Sequence, residues 1–209
     1  MYQEIALTSK KNKVYRIVEV DNTYILKTLR DTKSYDKELE VLKLLNDKGL
    51  LVPKILNVNK YSITLEDLGE VTLLSIYEKL ENNNDKNYQH IIESLLSWLD
   101  NFYKVAEDYY RRECVLSDMN FRNFIVKNNR IYRIDFEEVG FGKKEADVGK
   151  LLAFGLTYNP EHTEWKKQFE KAFVVEIQKR GLYDMESVIA EKNLELERIK
   201  ERRKKIENH

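Results

Sequence analysis

The chain has 209 residues, of which 42% are hydrophobic and 34% charged, so it can form a packed core and its composition excludes general disorder. Its 36 basic and 36 acidic residues cancel to a formal net charge of +0, and this balance does not demand a polyanion or an anionic membrane as partner. With one cysteine, Cys114, and no stretch of 18 apolar residues, we expect a cytoplasmic protein with no intramolecular disulfide and no membrane span.

The first third of the chain is predicted to be rich in strands. Apolar and polar residues alternate over residues 13–30 on both sides of an Asp-Asn pair, which predicts a β-hairpin. A helix over residues 34–48 follows, with Ser34 as its N-cap and Gly49 just beyond its end. Two more short strands are predicted within residues 52–69.

The remainder is predicted to be mainly helical. A helix over residues 72–80 leads into an exposed polar connector, residues 81–87, and then into a strongly amphipathic helix over residues 88–108. Short strands with an Asn-Asn turn at 128–129 follow, and the chain is predicted to be mostly helical after Asp147.

This order of elements predicts an α+β fold in a single domain with two unequal lobes. Residues 1–69 would form an N-lobe with a small antiparallel sheet and one helix, which would bind a nucleotide. Residues 70–209 would form a mainly helical C-lobe with a charged C-terminal helix. A cleft between two lobes is a favoured place for a ligand.

Two aspartates and an asparagine lie beside apolar runs in the segment VLSDMNFRNFIVKNNRIYRIDFEEVG. A carboxylate next to a buried strand costs desolvation energy unless a cation or a donor meets it. Asn123 follows Asp118 by five positions, and Asp135 follows twelve positions later, at the end of a predicted strand. This spacing matches the general pattern of a kinase catalytic loop and its metal-binding aspartate. The alternative is that all three are ordinary loop-capping residues.

The chemistry of phosphoryl transfer explains this choice of residue types. Transfer from ATP needs Mg²⁺, which prefers oxygen ligands, and one carboxylate with one amide oxygen suits that ion. Asp135 and Asn123 are therefore the predicted metal ligands. Asp118 is the predicted catalytic residue, because a second carboxylate must face the attacking hydroxyl.

A lysine on the first hairpin is a candidate phosphate ligand. Lys27 lies on the second predicted strand, and an inward-pointing lysine needs an anionic partner. Glu38 on the following helix is the preferred partner because it precedes Leu42 by four positions, whereas Glu40 lies on a different helical face. Such a pair steadies ATP phosphates in kinases. The alternative is two solvated surface charges.

These segments in order resemble the aminoglycoside phosphotransferase/choline kinase branch of the protein-kinase-like superfamily, from about residue 11 to residue 154. NKVYRIVEVDNTYILKTLR is similar to the nucleotide-loop hairpin of that branch, and GLLVPKILNV with LEDLGE to the strand and the segment entering the hinge. SDMNFRNFIV and RIDFEEVGFG are similar to the catalytic and metal loops. DVGKLLAF is similar to the segment with a buried, supporting aspartate.

The resemblance implies a protein-kinase-like two-lobe fold and an ATP- and Mg²⁺-dependent phosphotransferase. It implies that Lys27, paired with Glu38, binds the α- and β-phosphates of ATP. It places Asn12 in the nucleotide hairpin, and Glu66 and Leu68 in a hinge whose backbone would bind adenine. The remaining implied role is structural support of the catalytic loop by Asp147.

The chain also departs from the pattern of this branch. Its phosphate loop, TSKKNK, has no glycine to let backbone amides approach phosphate, so four other residues would have to serve there: Ser9, Lys10, Lys11 and Lys13. Leu116 and Ser117 replace the usual histidine and glycine before the catalytic aspartate. Glu137 stands where most protein kinases have the glycine of the metal loop, which is usual for this branch. Two other interpretations therefore stay open: a pseudokinase that works as a binding module, and a partner-stimulated ATPase.

The spacing after the metal loop restricts the acceptor. Asp147 follows Asp135 by only twelve positions, which leaves no room for a long regulatory activation loop. We therefore expect the hydroxyl of a small molecule or of a specialised macromolecule as acceptor. Only 62 residues follow Asp147, a size that resembles minimal kinases such as RIO-like enzymes, the small kinase of the tRNA threonylcarbamoyl-modification complex and lipopolysaccharide-core sugar kinases.

Several other residues have competing interpretations. The tail, residues 191–209, carries 7 basic and 5 acidic residues and could contact RNA or a protein partner, but a solvated terminal helix is the alternative. Tyr158 and Trp165 could form a cation-binding wall or could be core or surface aromatics. A further possibility concerns three acidic residues, which could receive a cationic acceptor or form a solvated loop: Glu137, Glu138 and Glu145.

Overall fold

The computed structural model describes residues 2–9 and 11–207, so Lys10 of the predicted phosphate loop lies outside the described residues. The chain divides into two compact units. The sheet unit consists of Met1–Val71 and Phe124–Val139, and the helical unit of Thr72–Asn123 and Gly140–His209. The lobe boundaries expected at residues 69 and 70 stay a prediction.

The strands of the described residues, in chain order, are β1 (Gln3–Leu7), β2 (Lys13–Val18), β3 (Thr23–Thr28), β4 (Ile55–Asn59), β5 (Ser62–Glu66), β6 (Cys114–Val115), β7 (Phe124–Lys127), β8 (Arg130–Arg133) and β9 (Gly140–Phe141). The α-helices are α1 (Thr32–Asp47), α2 (Leu73–Asn82), α3 (Gln89–Tyr110), α4 (Lys144–Thr157), α5 (Glu164–Arg180) and α6 (Met185–Glu207). A 3-10 turn, Phe121–Asn123, precedes β7. The expected α+β class, with a small antiparallel sheet and one helix before a mainly helical part, is confirmed.

The sheet unit contains a five-stranded antiparallel sheet in the order β1-β2-β3-β5-β4. The predicted hairpin is β2–β3, and β1 is an additional edge strand that the sequence patterns did not predict. Lys27 lies on the central strand, opposite Val14 on one side and Ile63 on the other. Because side chains alternate along a strand, Lys27 and Arg16 share one face of the sheet.

Helix α1 has a different N-cap from the one predicted. Asp31 caps the helix, and its Oδ1 accepts a hydrogen bond of 2.8 Å from the amide of Ser34. Both residue types are favoured at an N-cap, and the earlier one begins the helix here. The predicted end is correct, because Gly49 follows the last turn with a φ of +73°.

The helical unit has a core rich in aromatic rings. Tyr77 on α2 contacts the rings of Trp165 and Phe169 on α5 edge-on, with centroids 5.0 and 4.9 Å apart. The two tryptophans of the chain, Trp98 and Trp165, are both buried in this unit. The indole of Trp165 donates to the carbonyl of Asp85, so the structure assigns it to the core rather than to a cation-binding wall.

The charged C-terminal segment, as far as the structure describes it, is a helix with one packed side. Helix α6 lies against α4, and it buries Val188 and Ile199. Its Arg203 donates to the carbonyl of Thr157 at the end of α4, at 2.5 Å. The sequence pattern missed this packing because charged residues dominate the segment. No described helix is long and apolar enough to cross a bilayer.

Two other assignments are corrected in the helical unit. Glu81, predicted to lie in an exposed connector, belongs to α2 and forms an ion pair with the buried Lys166. Glu145, considered as part of a solvated acidic loop, is buried in the first turn of α4 and accepts a hydrogen bond from the amide of Asp184.

Candidate active site

Three charged residues of the sheet unit meet at the ammonium of Lys27. Its Nζ donates to Glu38 Oε1 and to Asp135 Oδ1, each at 2.8 Å. The second oxygen of Glu38 accepts from the amide of Phe136 at 2.6 Å, so Glu38 also fixes the backbone next to Asp135. Lys27 and Glu38 are both buried, at 7% and 1% exposure.

Glu38 is thus the partner of Lys27, as the helical spacing predicted. The rival residue, Glu40, pairs with Lys37 on its own helix at 3.1 Å. The pairing follows from local structure, since β3 directs Lys27 to the face on which the buried side of α1 presents Glu38.

Burial and charge act against each other in this group. Burial alone lowers the pKa of Lys27, but the facing carboxylates of Glu38 and Asp135 outweigh it, and the net pKa lies above its usual range. Burial raises the pKa of Asp135, but the ammonium of Lys27 outweighs it, and the net pKa lies below its usual range. Lys27 and Asp135 are therefore both charged at neutral pH.

Asp135, the predicted metal ligand, lies just beyond a strand and is partly exposed. It follows the end of β8 by two residues and has a positive φ of 69°, and its side chain keeps 37% of its exposure. A carboxylate of this kind suits Mg²⁺, which usually completes its shell with waters and substrate phosphates. Among the described residues no group of three His, Cys, Asp or Glu side chains could hold a metal ion.

The glycine-free phosphate loop is tied to the residues that follow Asp135. Asn12 Nδ2 donates to Glu137 Oε2 at 2.9 Å, and Lys11 forms an ion pair with Glu138. The amide of Arg30 donates to Asn12 Oδ1 at 3.2 Å. Glu137 is therefore engaged in a contact within the sheet unit and is not part of a solvated acidic loop.

The predicted hinge is held by two cations that the sequence analysis did not identify. Lys127 on β7 donates to Glu66 Oε1 at 3.0 Å and to the carbonyl of Asp67 at 3.3 Å. Arg16 on β2 donates from Nε and Nη2 to the two oxygens of Asp67, at 2.7 and 3.1 Å, and it also pairs with Glu70. Leu68 between them is buried. One indication of the role of Arg16 was available in the sequence, which is that the predicted hairpin places Arg16 and Lys27 on the same face.

The helical unit contains the predicted catalytic loop, residues 116–123. Asp147, in the first turn of α4, accepts hydrogen bonds from the amides of Leu116 at 2.7 Å and Ser117 at 3.0 Å, and from the hydroxyl of Tyr103 at 3.1 Å. Burial raises the pKa of Asp147, while the two amide bonds partly oppose that rise. Ser117 has a positive φ of 68°, and it stands where the kinase branch that the sequence resembles usually has a glycine.

The rest of this loop is ordered by short-range and long-range hydrogen bonds. Asp118 Oδ1 accepts from the amide of Asn120 at 3.2 Å, and the amide of Asn123 donates to the carbonyl of Asn120 at 3.0 Å. The hydroxyl of Tyr158 contacts both Asn120 and Phe121. Tyr158 thus contacts the loop, which neither the wall nor the core interpretation anticipated.

The predicted site residues therefore fall into two groups. The sheet unit brings together Lys27, Glu38 and Asp135, and it also carries Asn12, Glu66 and Leu68. The helical unit contains Asp118, Asn123 and Asp147. The roles of all these residues stay predictions.

Comparison with solved structures shows the same fold in several kinases. The kinase PK-1 of the Cydia pomonella granulovirus aligns with a TM-score of 0.52 and 12% identity over 69% of this chain and 59% of the viral protein. The amicoumacin kinase hAmiN, solved with AMP-PNP, Ca²⁺ and Ami, aligns with a TM-score of 0.57 and 16% identity over 88% of this chain and 73% of its own. WaaP, solved in complex with acyl carrier protein, aligns with a TM-score of 0.63 and 15% identity over 94% of this chain and 89% of WaaP.

These similarities confirm the protein-kinase-like fold predicted from the sequence. No curated protein sequence matches the chain. The sequence model of the RIO domain family matches residues 2–140. Because this match spans well over half of the chain, the protein belongs to the RIO domain family.

Proposed function

We propose that the protein is an ATP- and Mg²⁺-dependent phosphotransferase that acts on a hydroxyl group of its acceptor. The observation that carries this proposal is the bonding of Lys27 to both Glu38 and Asp135 in the sheet unit. A buried lysine held by a helix carboxylate, and bonded to a partly exposed aspartate, has the composition of the phosphate and metal site of kinases. Membership of the RIO domain family supports the same activity.

The roles follow from the chemistry of each group. Lys27 would bind the α- and β-phosphates of ATP, and Glu38 would fix its ammonium. Asp135 and Asn123 would bind Mg²⁺, which neutralises charge on the phosphates when it is bound. Asp118 would orient the acceptor hydroxyl and accept its proton. Asp147 would keep the preceding amides in place.

The nucleotide base would bind to the backbone of residues 66–69. Two contacts support a fixed hinge there, because Arg16 holds the carboxylate of Asp67 and Lys127 holds its carbonyl. Backbone groups that are already fixed lose less entropy when a ligand binds. The hAmiN structure, which contains AMP-PNP and Ca²⁺, supports a nucleotide with a divalent cation as the ligand pair.

The proposed acceptor is a small molecule or a specialised macromolecule. The short connection of twelve positions from Asp135 to Asp147 supports this choice. The hAmiN structure, which contains Ami together with AMP-PNP, supports a small-molecule acceptor.

A nucleotide-binding module without transfer activity, or an ATPase that a partner stimulates, is the second candidate. It is favoured by the glycine-free loop, in which Lys11 and Asn12 are engaged with Glu138 and Glu137 rather than open to phosphate. This candidate predicts nucleotide binding with no phosphoryl transfer to a small molecule.

The test is thermal stabilisation by ATP with and without Mg²⁺, followed by ATP turnover. Ligand at a hundredfold excess over its Kd stabilises a native protein by about 2.7 kcal/mol. We expect ATP to raise the melting temperature only with Mg²⁺, and we expect Asp135→Asn to abolish that rise. The matched control is Asp21→Asn in the β2–β3 turn, which should leave it unchanged. Absence of any ATP or GTP effect would contradict the proposal, and binding without turnover would favour the second candidate.

A further inference from the structure

Tyr158 occupies an unusual position for an aromatic residue at the end of a helix. It is the C-cap residue of α4, and its ring contacts Phe121 and Phe154, with centroids 5.2 and 6.4 Å apart. Its hydroxyl accepts a hydrogen bond of 2.9 Å from the amide of Phe121. It also donates to Asn120 Oδ1 at 3.1 Å. Burial raises the pKa of Tyr158, so the hydroxyl stays protonated and can both donate and accept.

Asn120 extends these contacts to the predicted catalytic aspartate. The same oxygen, Asn120 Oδ1, accepts from the amide of Arg122 at 2.9 Å. The amide of Asn120 donates to Asp118 Oδ1 at 3.2 Å. A continuous set of hydrogen bonds therefore joins the Tyr158 hydroxyl to the carboxylate of Asp118 through one asparagine.

Helix α4 thus contacts the loop from both of its ends. Asp147 in its first turn holds the amides of Leu116 and Ser117, and Tyr158 at its C-terminus holds the residues that follow Asp118. Lys150, between them on the same helix, donates to the carbonyl of Ser117 at 3.1 Å. Asp118 lies between two fixed points, and only one of them was expected from the sequence.

We propose that Tyr158 is a positioning residue that acts through Asn120 to keep Asp118 in one orientation for phosphoryl transfer. This inference rests on the proposed function. Loss of the hydroxyl leaves the amide of Phe121 without its acceptor and removes one of the two donors to Asn120 Oδ1, so that only the amide of Arg122 still donates to it. A small displacement of a catalytic group costs up to about 10²-fold in rate, so a loosened loop lowers turnover more than nucleotide binding.

The experiment compares Tyr158→Phe with Tyr77→Phe. Each variant keeps its ring, which contacts Phe121 in both cases, and removes one hydroxyl. The hydroxyl of Tyr77 donates to the carbonyl of Gly155 at 2.7 Å rather than to a residue of the loop. Asn120→Ala and the double variant Asn120→Ala/Tyr158→Phe complete the set. All are measured well below their melting temperatures, so that differences in stability do not enter.

Two readouts are needed. The first is hydrogen exchange of the amides of Phe121 and Arg122, which requires no enzymatic activity. The second is the split between kcat and the KM for ATP, with ATP turnover as the assay. We expect Tyr158→Phe to accelerate exchange at both amides and to lower kcat about tenfold with KM changed less than about twofold. Tyr77→Phe should do neither, and the double variant should be no slower than Asn120→Ala alone.

The outcomes separate this inference from the proposed function. Unchanged exchange in Tyr158→Phe overturns the inference whether or not the protein turns over ATP. Faster exchange with an unchanged kcat also overturns it, because the loop then tolerates the loss. A wild-type protein that binds ATP without turnover contradicts the proposed phosphotransferase activity and the catalytic role of Asp118. The exchange data then still decide whether Tyr158 orders residues 120–122.

Discussion

At the residue scale, the buried ion pair of Lys27 and Glu38 determines both stability and the proposed chemistry. A buried charge is tolerated only when it is paired, and here one ammonium faces two carboxylates. Removing one partner of such a pair is strongly destabilising because the other charge stays buried. The site should therefore be more sensitive to substitution than an exposed pair of the same residue types.

We expect Glu38→Gln to lower the free energy of unfolding by about 3 kcal/mol, at the lower end for a broken buried pair because Asp135 still faces Lys27. The matched control is Glu40→Gln on the same helix, whose half-exposed pair with Lys37 should be worth less than about 0.5 kcal/mol. Urea unfolding at pH 7 measures both values. Equal losses in the two variants would show that Lys27 does not depend on Glu38.

The pKa shift of Asp135 predicts how its contribution to stability depends on pH. Its folded pKa is lowered, so the contribution is fully present above the unfolded pKa of about 3.9 and is lost as pH falls through the folded pKa. The pKa of Lys27 is raised, so the lysine that Asp135 pairs with stays charged to beyond about pH 10.4. The stability difference between wild type and Asp135→Asn should therefore be constant from pH 5 to 9 and shrink below about pH 4. Urea unfolding at pH 7, 4 and 3 checks this, and a difference that grows on acidification would contradict it.

Residue contacts of short sequence separation were predictable, and those of long separation were not. The pairing of Lys27 with Glu38 spans 11 positions and follows from strand and helix periods. Arg16 with Asp67 spans 51 positions, and Lys127 with Glu66 spans 61. Their charges look like ordinary surface charges in the sequence, because only the sheet pairing and the chain path bring them to the hinge.

At the element scale, α4 lies against α6 at a glycine. A Cβ placed on Gly149 would lie 2.7 Å from the Cβ of Glu191 and from the backbone nitrogen of Lys192. Side chains can move away from such a contact, but a helix backbone cannot do so without shifting the whole element. The close approach of the two helices therefore depends on this position having no side chain.

We expect Gly149→Ala to lower the free energy of unfolding by about 1–3 kcal/mol, the usual cost of overpacking. Gly155→Ala, on the same helix, is the control. Its new Cβ would lie 3.7 Å from Phe121 and Tyr77, an ordinary contact, and alanine favours a helix over glycine by up to about 1 kcal/mol. Thermal and urea unfolding should therefore show a loss of stability in Gly149→Ala and a gain in Gly155→Ala. A tolerated Gly149→Ala would mean that α6 does not pack closely against α4.

Helix and strand periods predicted most elements, and the failures have physical causes. The hairpin, α2 and α3 carry clear apolar patterns, and they form where expected. Strand β1 was missed because its residues are mostly exposed and short edge strands lack an alternating pattern. The packing of α6 was missed because its few apolar residues, together with a buried Glu195, are scattered among charges.

At the scale of the whole molecule, the segment that defines the family is completed by residues outside it. The family match ends at residue 140, yet the amides of Leu116 and Ser117 are satisfied by Asp147 on α4. Helix α4 in turn is covered by α6. The loop that carries Asp118 therefore depends on the last third of the chain.

We expect a chain shortened to end at Asp184, which lacks α6, to melt at a lower temperature and to bind a hydrophobic dye, because the surface of α4 loses its cover. A chain that ends at Glu207 should melt like the full-length protein. Circular dichroism and dye fluorescence measure both. An unchanged melting curve in the shorter chain would show that α6 adds nothing to the helical unit.

The placement of the two tryptophans has a spectroscopic consequence. Trp98 and Trp165 are both buried in the helical unit, and the sheet unit, which carries Lys27 and Asp135, has none. Intrinsic tryptophan emission therefore reports on the helical unit alone. One tryptophan introduced at Tyr24 on β3 would give the sheet unit its own fluorescent signal, and the unfolding of the two units could then be followed separately.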